Sequence, residues 1–262
     1  MTTHTSRNLR TTQTAAPELA PIPFERLLRV ELLKTVGTRA ARWLLVASVV
    51  SIVGGLGIAL IFAHDIDQSR TSYLSAAALG LTRVTPILLL MAMTGEWSQR
   101  TAMVTFTQEP RRSRVVAAKA TVGLGLAAAL AVLGGLAAQA AVFAARAGGR
   151  HVSAGLAHDG PRIIGYVLFV VLISLVGMAF GALVQNTPAA IVAFFALGGL
   201  ANLFSIGALS AVGDWVNTGV TFGWILEGKW SGHGAQMIVS ALLWVGLPLA
   251  LGTRRANRRE IR

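Results

Sequence analysis

Residues 95–119 read GEWSQRTAMVTFTQEPRRSRVVAAK, a polar insertion with two acids, a proline and a cluster of arginines. The flanking residues decide what this insertion is. Segments 74–94 and 115–144 are each long and apolar enough to cross a bilayer, which takes about 20 residues. Working outward, windows 43–63, 163–184, 189–210 and 235–252 meet the same condition. Residues 95–114 are therefore expected to be a loop between two membrane crossings. Composition points the same way. The chain is 54% hydrophobic and only 13% charged, with a mean hydropathy of +0.63, more apolar surface than one soluble core can hide. The expected fold is all-α, a polytopic integral membrane protein with six transmembrane helices over residues 43–252. Gln185, Asn186, Thr187 and Pro188 form a short breaker turn that makes the fourth and fifth windows a hairpin.

The ends differ from this body. Residues 1–20 are Thr-rich, polar and poor in apolar side chains, which predicts a disordered cytosolic tail. The first apolar run begins only at Trp43, so no cleaved leader is expected. Between them, residues 21–42 place Phe24, Leu28, Leu32 and Val36 at helical spacing with Leu27 beside them, while Arg26, Arg29, Lys34 and Arg39 fall mostly elsewhere. An interfacial amphipathic helix is expected there, with Trp43 as its headgroup-level anchor; an ordinary cytosolic helix is the competing reading. Residues 253–262 form a basic cytosolic tail. With both termini inside, about seventeen of the 23 lysines and arginines fall on the cytosolic side, so the positive-inside rule gives an N-in, C-in topology.

Several function classes find no support. There is no cysteine, so neither a disulfide framework nor a thiolate metal site exists. The net charge of +12 flanks apolar runs instead of lining a face with stacking aromatics, which suits anionic headgroups and not nucleic acid. Only Lys34, Lys119 and Lys229 are lysines; arginine with abundant Ala and Gly suggests high-GC bacterial coding. The histidines His4, His64, His151, His158 and His233 are scattered through the tail and the expected outer loops, so no metal is expected. No phosphate loop, HExxH or GxSxG motif is present, and no catalytic residue is assigned.

Polar residues within the windows are candidates for a substrate pathway. Arg83 lies in the second window, where a charge is costly and marks a functional site by default. Counted from Glu96, it stands about 20 Å across a core of about 30 Å, so snorkelling to the outer headgroups is an equal reading. Gln139 and Asn202 either line a pathway or hydrogen-bond across helices. Gly177 and Gly181 form a GxxxG, more often a sign of close packing within one subunit than of dimerisation. The outer segment holding Trp215, Trp224 and Trp230 reads as an interfacial aromatic belt.

Positive-inside bias explains the arginines of the opening stretch but not its order. Glu96 leaves the membrane directly after the second window, with Arg100 at i+4 in the favourable orientation. Met103, Val104 and Phe106 keep the following helix-compatible stretch half-apolar until Pro110. Arg112 and Lys119 share a side of the next helix, from which both can reach the headgroups. The order of Gly95-Glu96, Thr101, Pro110-Arg111, Arg114 and Ala118-Lys119 resembles the loop of ABC-2 type ABC transporter permeases. VELLKTVGTRAARW, with Glu31 and Lys34, is similar to the N-terminal elbow of that family, and GMAFGALVQNTPAAIV, residues 177–192, to its hairpin between the fourth and fifth spans. The resemblance covers nearly the whole chain after the tail. Trp97 departs from it, a tyrosine being commoner there.

The resemblance implies a permease subunit, an exporter of the bacterial inner membrane, which works as a homodimer or heterodimer with a separate cytosolic ATPase. ATP and Mg would bind that ATPase, and no cofactor this chain. The loop would carry a coupling helix at about 100–108 that docks on the ATPase, with Glu96, Arg100, Thr101, Met103, Val104, Phe106, Pro110, Arg111, Arg114 and Lys119 as the coupling residues. The outer segment would form a pair of short helices before the last span. Two rivals stand beside this: an intramembrane enzyme that holds an anionic lipid on Arg83, and a membrane anchor or sensor without transport.

Overall fold

The computed structural model describes residues 22–62, 69–99, 111–152 and 156–258. The regular elements among them are helical. In chain order they are α1 (Phe24–Gly37), α2 (Arg39–Ile61), α3 (Arg70–Ser98), α4 (Arg112–Ala147), α5 (Leu156–Val184) and α6 (Thr187–Leu203). A 3₁₀ turn (Gly207–Leu209), α7 (Ser210–Val216), α8 (Thr218–Leu226), α9 (Gly234–Ala241), a π-helical turn (Leu242–Gly246) and α10 (Leu247–Arg258) complete the chain. The expected tail at 1–20 and the expected coupling helix at 100–108 lie outside the described residues.

Among the described residues, five segments are long and apolar enough to cross a membrane: Arg39–Ile61, Arg70–Ser98, Ser113–Ala147, Arg162–Val184 and Gly234–Ala256. The chain is a helical, multi-pass membrane protein. Its fifth expected window behaves differently. α6 has 17 residues and ends at Leu203, where the chain turns through Phe204 and Ser205 to Gly207, whose φ of 64° breaks the right-handed path. The six long helices expected from the windows are thus five long helices and one shorter one.

The boundary at 42 also moves. Thr38 is extended, and its hydroxyl accepts from the Ala41 N–H at 3.1 Å, so it closes α1 and caps α2 five residues before Trp43. α1 turns Leu27 and Glu31 toward the protein and leaves Phe24, Leu32 and Leu33 exposed. This reverses the soluble pattern, as suits a helix whose apolar side meets lipid. α2 follows the same logic with Val46, Val49, Val50 and Val53 exposed.

α3 is the central helix, buried along its length from Tyr73 to Glu96 and packed by α2, α4 and α5. Its contact with α5 is a backbone contact. A Cβ at Gly177 would collide with the Pro86 carbonyl, and one at Gly181 would stand 2.7 Å from the Leu90 carbonyl oxygen. The GxxxG therefore serves packing within the chain. α4, 36 residues long, runs about 54 Å and overshoots a core of about 30 Å.

The segment expected on the outer side contains two short helices, α7 and α8. Asn217 joins them. Its side-chain oxygen caps α8 by accepting from Gly219 N–H at 2.8 Å, while its amide donates to Asn202 Oδ1 at 3.0 Å and Ser205 Oγ at 2.7 Å. Asn202 is thus engaged in helix-to-helix hydrogen bonding. The Trp244 indole, on the π turn, donates to the Val216 carbonyl at 2.7 Å and fastens α7 to the last long helix.

Candidate functional site: a charge network at the helix ends

Four charged side chains meet where α1, the end of α3 and the start of α4 converge. Glu31 sits on the protein-facing side of α1 at 2% exposure, Glu96 in the last turn of α3 at 7%, and Lys119 two turns into α4 at 9%. Lys34, one turn after Glu31, closes the group from its outer edge, where its side chain is 42% exposed. Lys34 Nζ stands 3.0 Å from Glu31 Oε1 and 3.0 Å from Glu96 Oε1. Lys119 Nζ stands 2.6 Å from Glu31 Oε2 and 3.4 Å from Glu96 Oε1. Each carboxylate thus faces both ammonium groups, and the four charges sum to zero.

Each element has a reason to supply its residue. Glu96 lies at a helix C-terminus, where the exposed carbonyls disfavour an anion, so it needs a cation close by. Lys119 turns inward to the two carboxylates from the start of α4. Buried charges persist only when paired. The expectation that Lys119 anchors the loop at the lipid surface is corrected: its side chain is 8% exposed and spends its charge on Glu31 and Glu96. Arg114 ties the start of α4 to the chain before α1 by donating to the Ile22 carbonyl at 2.7 Å. Arg111 is exposed.

Beside the network opens a cleft of about 630 Å³, lined among others by Lys34, Thr38, Leu88, Glu96, Lys119 and Thr187. Thr187, the first residue of α6, forms hydroxyl contacts with Thr94 at 2.6 Å and Ser98 at 2.8 Å. The end of α3 is therefore held from two sides, by charge to α1 and α4 and by hydroxyls to α6.

Burial pulls the Lys34 ammonium toward its neutral form, but the hydrogen bond to Glu31 and the carboxylates of Glu96 and Glu31 outweigh it, so its pKa lies above the ordinary 10.5. The stabilisation is complete below the unfolded value and is lost as pH rises through the higher folded one. Lys34→Met is accordingly expected to melt below the wild type at about pH 8, with the gap narrowing above about pH 11. A gap that is constant across that range would mean that Lys34 acts by packing alone.

Of the expected coupling residues, the structure brings Glu96 and Lys119 together and puts Arg114 and Arg111 nearby; Arg100, Thr101, Met103, Val104, Phe106 and Pro110 lie outside the described residues. Of the expected pathway residues, Arg83 and Asn202 line one cleft between α3, α5, α6 and α8. Gln139 is half-buried on α4 and is not part of that lining. The pairing of Glu31 with Lys119, 88 residues apart, was not read from the sequence. Its signal was the presence of unlike charges at the polar margins of apolar helices. Among the described residues, no group of three or more His, Asp or Glu is arranged to hold a metal ion. Comparison with protein-family models and with curated proteins gives no match to this chain.

Proposed function

We propose that the chain is the transmembrane permease subunit of an ABC-2 type ATP-binding cassette transporter, an exporter of the bacterial inner membrane, driven by a separate cytosolic ATPase and paired with a second permease subunit. The single observation that carries this reading is the charge network. Glu96 stands three residues before the end of the described α3 segment at Gln99, and Lys119 eight residues after Arg111. Both grip Glu31 or Lys34 of α1. A loop tied at both ends to an interfacial helix does not move alone, and a push on it is passed to the spans as a rigid displacement. That is what a coupling element has to do.

In this reading α6 is the fifth of six spans. Its 17 residues measure about 26 Å, a mismatch that local thinning of the bilayer absorbs at small cost. Both termini then lie inside, with the network on the cytosolic side.

The test is co-expression with a phosphate-loop ATPase encoded beside this chain, followed by co-purification and hydrolysis assays in lipid. The wild type should retain the ATPase, and Met103→Asp or Phe106→Asp should weaken retention about fivefold or more, since an unpaired carboxylate in a packed contact costs about 1–3 kcal/mol. Unchanged retention and hydrolysis in both variants would reduce the stretch to a basic loop. ATP turnover by the purified chain alone would overturn the permease reading.

A further inference from the structure

A second cleft, of about 460 Å³, lies between α3, α5, α6 and α8. Its volume falls within the range of small-molecule sites. Its walls are Phe169 and Ile173 of α5, Phe194 of α6 and Trp244 of the π turn, and its lining holds one charged residue, Arg83, and no carboxylate. Arg83 is exposed, and among the described residues it donates no hydrogen bond and forms no ion pair. A guanidinium within a membrane-spanning helix is costly until an anion meets it. Asn202 commits its side-chain oxygen to Asn217, which leaves its amide N–H groups without a partner among the described residues. The cleft thus presents the Arg83 and Asn202 donors with no carboxylate in its lining to meet them, beside an apolar wall. Leu79 and Phe195 at its rim are exposed at 63% and 43%, so the opening faces the surface that lipid covers.

We propose that this cleft binds an anionic amphiphile drawn from the bilayer, its acidic group on Arg83 and its alkyl part along Phe169, Ile173, Phe194 and Trp244. A phosphate or carboxylate accepts two parallel hydrogen bonds from a guanidinium, and Asn202 supplies a further donor. The site is independent of whether the chain transports: a bound acid amphiphile is cargo in an exporter and a resident lipid in any other membrane protein.

The cleft can be filled without touching Arg83. Gly198 lines the cleft and a Cβ there meets no atom within 4 Å, so Gly198→Trp adds a ring at the cleft wall without a clash at the added carbon. The experiment is native mass spectrometry of the full chain released from nanodiscs of equal phosphatidylglycerol and phosphatidylcholine. The wild type should retain the anionic lipid about tenfold over the zwitterionic one. Arg83→Gln should abolish the preference, Arg83→Lys should keep part of it, and Gly198→Trp should lower retention with Tm unchanged. Excess dodecyl phosphate separates the sources: displacement of the retained lipid shows a site for any single-chain acid, and its failure to displace shows a site built for the two-chain lipid. Wild-type preference in both Arg83→Gln and Gly198→Trp would overturn the proposal, leaving Arg83 a snorkelling side chain. A change of oligomeric state in Gly198→Trp with lipid retention intact would overturn it as well, by assigning the face to a second copy of the chain.

Discussion

Lys119→Met is expected to lower the melting temperature of the protein in lipid by about 6–12 °C, the equivalent of about 3 kcal/mol. Methionine keeps the unbranched stem of the side chain and removes the ammonium at its end. Two carboxylates, Glu31 and Glu96, then lose one of the two ammonium groups they share within this network and keep that of Lys34, which is itself part-exposed. Truncating one partner of a buried pair typically costs about 3–5 kcal/mol because the other charge stays behind. The lower end applies here, since Lys34 still touches both acids. Charge parity gives the control. In Glu31→Gln with Lys119→Met, the pair Lys34–Glu96 at 3.0 Å remains and is neutral, so the double variant should recover more than half of the loss. Additive losses in the double-variant cycle, or single losses under about 0.5 kcal/mol, would show that the four charges do not act as one unit.

Gly177→Leu should be among the most damaging substitutions in the membrane body. Overpacking a well-filled interior costs about 1–3 kcal/mol when neighbouring side chains can shift. Here the obstacle is backbone: the Pro86 carbonyl, with Pro86 Cβ 2.6 Å from the added carbon. Neither can rotate aside, so α3 and α5 must separate, and the buried faces of both helices lose contact together. A loss of about 3 kcal/mol or more, seen as poor yield and a lowered melting temperature, is expected. Gly181→Ala should fall short of this, since it adds a single carbon, 2.7 Å from the Leu90 oxygen and 3.0 Å from Met93 Cβ, against the whole leucine side chain at Gly177. If the two glycines served dimerisation, both substitutions would change the mass of the purified particle and leave the melting temperature in place. That outcome would refute the intrachain packing.

The membrane class, the helices and their approximate ends were legible in the sequence, because a bilayer sets a length and a polarity that any crossing helix must satisfy by itself. The windows at 43–63, 74–94, 115–144, 163–184 and 235–252 each correspond to a long helix. The breaker turn at Gln185 and Asn186 is where α5 ends and α6 begins. These are local properties of a stretch of chain. The end of α6 was less legible, for Leu203 is followed by apolar residues and only the backbone turn at Gly207 marks the stop. What no window contains is which helix touches which. Lys34, Glu96 and Lys119 each read singly as residues at the membrane margin, Lys119 among them reaching the headgroups, and Glu31 only as part of the stretch that resembles an elbow. Their meeting depends on α1 folding back along the ends of α3 and α4, over separations of 62 residues for Lys34 with Glu96 and 88 for Lys119 with Glu31. The joining of Arg83 and Asn202 in one cleft depends likewise on the α3–α5–α6 arrangement. In lipid no hydrophobic drive distinguishes one apolar helix face from another, so partners are chosen by close backbone approach at Gly177 and Gly181 and by buried charge. Both are pairwise properties, and only the tertiary structure decides them.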